Sequence, residues 1–282
     1  MAETPNLFWN AYKSLERELL DLANTIHIDD KQKSTYSTRI ANLLVSTAAE
    51  IETISKELYW KNGGSKKDKP SFDTVCLEYL NNQWNITEKK VCLYCHQIYL
   101  EEEKRLLMPL ENAEKRADKG SEWKQAYMAV KHDRANNLER GNIENFINAL
   151  AALFILNVYY KNQTFGLGYD KDGKTFDSTI GSDVFQVTFL PYPNGNDENQ
   201  TKKYIYKIKK AEEINKDLKL IITELVKMQT AIDYQAKGQT IASNVIITGN
   251  VMDVVGQHQK NTKPYNDLIE KIVNYEAVLN IP

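Results

Sequence analysis

Lys131, His132, Asp133 and Arg134 stand side by side at the end of an amphipathic run that begins at Ser121. Two cations, an imidazole and a carboxylate in one tetrad suit a phosphate. Lys131 would act as a point charge and Arg134 as a planar fork. His132 could serve as general acid or base. Asp133 could orient the imidazole or neutralise Arg134. A proton shuttle with cations facing a developing phosphorane charge is the smallest set that metal-free RNA cleavage requires. On a helix through 121–134, Tyr127, Lys131 and Arg134 share a face at i, i+4 and i+7, and Lys124, Met128 and His132 share a neighbouring strip. The candidate catalytic residues are therefore His132, Lys131 and Arg134, and the candidate substrate-binding residues are Lys124, Tyr127 and Asp133. The competing reading is structural: cations near a helix C-terminus complement its dipole, and Asp133 and Arg134 make a surface ion pair.

Other candidate chemistry is weaker. Cys92-Leu-Tyr-Cys95-His96 matches a haem-attachment spacing and half of a zinc site. Two thiols and an adjacent histidine do not close a tetrahedral site, so no metal and no cofactor is expected, and local alternation suits a short strand at 90–99. Gly166-Leu-Gly168 lacks the context of a dinucleotide loop, and Asp170-Lys-Asp-Gly173 lacks the distal glutamate of a calcium loop. His27, His96 and His258 have no partners nearby in sequence.

The elements that must position the tetrad read as helices. Leu7, Phe8, Ala11, Tyr12, Leu15 and Leu19 recur at helical spacing in 6–26, and Ile40, Leu44, Ile51, Ile54 and Leu58 do so in 34–61, which Asn62-Gly63-Gly64 ends. A short helix is expected at 71–82 and another at 121–133. Residues 142–161 are apolar nearly all round, which marks a helix buried among others. After Asn162 turn residues increase. A β-hairpin is expected from 183–190 and 203–208, then helices at about 211–235 and 264–279, with 241–255 ambiguous. The expected fold is mainly α, with residues 1–162 as a helical bundle and 163–282 as a β-hairpin followed by C-terminal helices that pack on it.

The 282 residues carry a formal net charge of −2, so any nucleic-acid site must be a local patch. The apolar run 146–158 is interrupted by Asn148 and Asn157 and reads as too short to span a membrane. With no N-terminal apolar segment and three cysteines, a soluble cytoplasmic protein without a disulfide framework is expected.

The block Trp123-Lys-Gln-Ala-Tyr127, Val130-Lys-His-Asp-Arg134, then Asn142, Phe146, Asn148 and Leu150 through Phe154, resembles the core of HEPN-like domains (higher eukaryotes and prokaryotes nucleotide-binding). The resemblance covers roughly 36–162, and its specific part is 121–155. It implies an all-α bundle in a bacterial defence or toxin–antitoxin setting, an RNA- or nucleotide-related role, an antitoxin or other protein partner, and a homodimer with composite sites. It also implies metal-independent endoribonuclease activity. Active members carry an arginine with four to six residues between it and the motif histidine. Gln125, Ala126 and Tyr127 fill that window here, which directs the expectation toward RNA binding. The alternative is a non-catalytic structural or partner-binding module in which the tetrad pairs internally.

Overall fold

The computed structural model describes residues 6–65, 69–211 and 274–281. Four helices carry the larger of two compact units: α1 (Leu7–Thr25), α2 (Thr38–Lys61), α4 (Glu122–His132) and α6 (Ile143–Lys161). A π-helical turn, Phe72–Leu77, leads into the short α3 (Glu78–Trp84), and α5 (Arg134–Asn137) follows α4 directly. The chain is mainly α, as expected.

Side chains set the helix ends. Asn6 Oδ1 accepts from Trp9 N, Ser37 Oγ from Ile40 N and Asn142 Oδ1 from Asn145 N, so each long helix but α4 starts on a side-chain cap. Asn85 and Asn162 take left-handed backbone at the ends of α3 and α6. Gly141 precedes α6 because a Cβ there would stand 2.5 Å from Ala41 Cβ and 2.8 Å from Ala41 Cα. The turn thus presses directly on α2.

Helix α6 is the centre and packs on α1, α2 and α4. From Ala149 through Tyr159 every residue is buried. Its 19 residues are long and apolar enough to cross a membrane by composition, beyond the run read from sequence, but 78% of that window is buried inside the protein. The apolar surface is spent on helix packing.

Short strands edge the bundle. β1 (Ile28–Asp29) runs parallel to β3 (Ile98–Tyr99). β2 (Val91–Leu93) lies between β4 (Leu106–Leu107) and β6 (Phe185–Val187), antiparallel to both. Cys92 lies in β2 and Cys95 in the loop between β2 and β3, which one guanidinium organises. Arg105 donates to the carbonyls of Leu93 at 3.1 Å, Cys95 at 3.2 Å and Leu100 at 3.4 Å, and to that of Ile98. Burial pushes both the Cys92 and the Cys95 thiol up, and no three His, Cys, Asp or Glu side chains converge as a metal site among the described residues.

The expected hairpin is corrected. Both runs are partly extended, but β6 pairs with β2, and β7 (Phe189–Leu190) runs parallel to β8 (Tyr206–Lys210), with Phe189 opposite Tyr206. The connection 191–205 contains a short helix, α7 (Glu198–Thr201). It is long enough to return the chain in the same direction, which a tight turn cannot do. The end of the expected last helix is also corrected. β9 (Tyr275–Leu279) is a strand whose Tyr275, Ala277 and Leu279 are buried in alternation. The rest of that helix, the expected helix at about 211–235 and the run 241–255 lie outside the described residues.

The boundary expected after Asn162 falls near the change of unit at Thr164, but the chain returns to the larger unit for Asp177–Lys207 and Val278–Pro282. In the smaller unit, β5 (Phe165–Gly168) pairs antiparallel with the start of β9, Phe165 opposite Ala277.

Within the larger unit Lys89 fastens two returning segments. It is 1% exposed, and its Nζ donates to the carbonyls of Tyr204 at 3.1 Å and Asn280 at 3.0 Å. Burial pushes its pKa down to about 7. In the unfolded chain the amine titrates near about 10.4. Between those values the unfolded state holds a proton that the folded state lacks, so stability rises with pH through that window. The cost of desolvating the amine is complete below about pH 7 and gone above about pH 10.4. Urea titrations from pH 7 to 10 should show Lys89→Met losing an upward slope approaching about 1.4 kcal/mol per pH unit relative to the wild type. Parallel pH profiles for the two proteins would show that Lys89 stays charged in the fold.

Candidate functional site

The tetrad lies on the surface at the C-terminal end of α4. Lys131, His132, Asp133 and Arg134 are all exposed. α4 stops at His132 because Asp133 takes φ −147° and ψ 67°, and Arg134 opens α5. Helical spacing therefore does not carry through to Arg134, and the i, i+4, i+7 face read from sequence ends at Lys131.

Two expected substrate contacts are corrected by this geometry. Lys124 is 4% exposed. Its ammonium donates to the carbonyl of Ala113 at 2.8 Å, to that of Lys115, and to Asp73 Oδ2 at 3.2 Å. It staples the 113–115 loop and the π-helical turn to α4, so no valence is left for a substrate. Burial alone would raise the Asp73 carboxyl, but hydrogen bonds from Ser71 and Thr74 and the Lys124 charge outweigh it and hold the group below the usual carboxylate range. Asp133 neither orients His132 nor pairs with Arg134. Its carboxylate accepts from Asn136 Nδ2 at 3.0 Å and its carbonyl from Asn137 Nδ2 at 2.8 Å, which closes the first turn of α5.

Tyr127 has a positioning geometry. Its ring is buried, 2% exposed, and its hydroxyl joins two helices. Lys131 Nζ donates to Tyr127 Oη at 2.7 Å, and Tyr127 Oη donates to Glu52 Oε1 on α2 at 2.9 Å. The ammonium also stands 4.9 Å from the Tyr127 ring centroid and 4.0 Å from Glu52. Burial and then the Glu52 hydrogen bond raise the Tyr127 phenol, so it remains a donor. The bond to Tyr127, with the nearby Glu52 charge, raises Lys131 and keeps it cationic. Glu52 is the member that sequence reasoning missed. It lies 75 residues from Tyr127, and no spacing rule links them.

The arrangement is a fixed ammonium beside two unfixed groups. Among the described residues Arg134 makes no ion pair and the His132 side chain no hydrogen bond. Met128, 42% exposed, borders them one turn back on α4. Such a surface can meet an anion through Lys131 and Arg134 and hold or move a proton at the His132 imidazole.

No family model, curated protein or solved structure matches the chain.

Proposed function

We propose that this chain is a HEPN-like RNA- or nucleotide-binding protein of a bacterial defence or toxin–antitoxin system. The observation that carries this reading is the exposed Arg134 at the end of α4, beside a Lys131 that Tyr127 and Glu52 hold in place. Lys131 is held cationic at Tyr127, and Arg134 is solvent-facing with no carboxylate partner among the described residues. A purely internal tetrad would have placed Asp133 on Arg134, and the Asp133 carboxylate instead accepts from the Asn136 side-chain amide. Phosphate is the anion that suits a point charge beside a planar fork. Metal-independent cleavage with His132 as the proton-transfer group is the further step of the same reading, in a homodimer or with an antitoxin partner.

The test is binding of single-stranded RNA by the intact protein as a function of salt. Affinity should fall as salt rises, since each phosphate contact releases counterions, with a slope of about −0.7 per contact on single strands. Lys131→Ala with Arg134→Ala should reduce affinity and flatten that slope by roughly 1 to 1.5 units, without unfolding the domain. His132→Ala should leave binding intact and abolish whatever cleavage the wild type shows, because proton transfer acts in the transition state. A double variant that binds RNA like the wild type would overturn the reading.

One observation favours a second reading, a partner-binding module without catalysis. Lys131 is already hydrogen-bonded inside the protein and is only 45% exposed in its side chain. Under that reading RNA binding is absent from the start.

A further inference from the structure

We propose that a cleft of about 880 Å³ between the first turns of α4 and α6 binds a small organic polycation of the polyamine class. Its volume lies in the range of small-ligand sites, roughly 300–1,000 Å³. None of the tetrad residues lines it, so it is separate from the candidate phosphate site.

Among the described residues, the cleft opens onto the N-terminal half of α6. Only Glu144, Asn145 and Asn148 interrupt the burial of that helix before Tyr160, and all three line the cleft. The backbone donors there are already committed. Ile143 N donates to Thr35 O, Glu144 N to Lys33 O and Asn145 N to Asn142 Oδ1. Asn145 Nδ2 donates to Arg140 O at 3.0 Å, and Asn148 Nδ2 to Glu144 O at 2.9 Å. The helix start therefore offers no free backbone N–H to an anion at 143–145, while the amide oxygens of Asn145 and Asn148 are left to accept. Ser121 Oγ, in the same wall, is shielded from solvent and has no hydrogen-bond partner.

The charges agree with the amides. Glu111, Glu122, Glu139 and Glu144 line the cleft against a single Arg140. Glu144 is paired with Lys33, and the other three carboxylates are exposed with no ion pair among the described residues. Tyr36, 52% exposed, adds a ring face where an ammonium gains a cation–π contact. A wall with four carboxylates and two open amide oxygens against one guanidinium selects a ligand with several N–H groups on an apolar chain, whose methylenes Met108 can meet.

The experiment is calorimetric titration of the full-length protein with spermidine at low salt. One site is expected, weakened about ten-fold in the double variant Glu111→Gln with Glu139→Gln, the size expected when two exposed ion pairs are removed. Both carboxylates are exposed, so the thermal midpoint should not move. Asn148→Leu should weaken binding several-fold, and Lys131→Ala with Arg134→Ala should bind spermidine like the wild type. Absence of binding at millimolar spermidine overturns the proposal. So does equal binding by the double glutamine variant, or complete displacement by equimolar magnesium, which would indicate a diffuse acidic surface.

Discussion

Leu150→Asp should leave no cooperative unfolding transition and no soluble folded protein. Leu150 is 0% exposed near the middle of α6, the helix on which the other three long helices pack. Truncating a buried leucine alone costs about 2–5 kcal/mol. A carboxyl without a hydrogen-bond partner adds about 1–3 kcal/mol even when it neutralises, and more if it stays ionised. Together these reach the whole stability of an ordinary domain, about 5–15 kcal/mol. Leu150→Ala carries only the first cost and should still fold, with a lowered urea midpoint. A soluble Leu150→Asp variant with a sharp urea transition would show that α6 is not the centre of the core.

That helix was legible from sequence because its apolar residues leave no wide polar face, and no short-range alternative competes with that pattern. The range 142–161 read from sequence lies within a residue of the observed Ile143–Lys161, which Asn142 caps and Asn162 ends in left-handed backbone. The strand at Tyr275 to Leu279 shows the opposite case. Tyr265, Leu268, Ile269, Ile272 and Tyr275 fit a helical period, while Tyr275, Ala277 and Leu279 fit a period of two, and the partner Phe165–Gly168 decided between them. The hairpin failed because alternation marks a strand but does not name its neighbour. Phe185–Val187 finds β2, about ninety residues back.

The candidate site divides along the same line. Exposure of Lys131, His132 and Arg134 agrees with a charged run closing an amphipathic helix. Lys124 did not follow, although it shares a helical strip with Met128 and His132. Its acceptors come from Asp73 and from the carbonyls of Ala113 and Lys115, which the fold alone brings together. Glu52 was invisible for the same reason. A face computed from spacing ranks residues by direction, whereas their chemistry depends on what lies opposite.

Glu16 is the strongest instance of such a long-range dependence, and its removal should cost nearly as much as a core truncation. It is 0% exposed on α1. Its Oε1 accepts from Tyr12 Oη at 2.6 Å, from Ser182 Oγ and from Asp183 N at 3.0 Å, and its Oε2 pairs with Lys13. Lys13 also donates to Gly181 O at 3.1 Å and pairs with Asp183 at 2.6 Å. Burial first, and then the Glu16 carboxylate, push the Tyr12 phenol well up, so it stays a donor. Burial works against the Lys13 ammonium, but its bonds to Asp183 and Glu16 prevail and hold it above the usual lysine value. One carboxylate thereby fixes the 181–185 segment, and with it β6, to the first helix. Glu16→Ala would strand these donors and should lower stability by about 3–5 kcal/mol, as when one partner of a buried ion pair is removed. Glu16→Gln keeps an acceptor oxygen for Tyr12 and Ser182 and loses the charge beside Lys13. It should cost less, about 1.5–3 kcal/mol, the range for hydrogen bonds to a charged group. Urea titrations of the two variants at neutral pH give both numbers. Equal losses for the alanine and glutamine variants would assign the whole effect to the charge. A loss under about 1 kcal/mol for Glu16→Ala, no more than an exposed ion pair contributes, would show that 181–185 is held to α1 by packing instead.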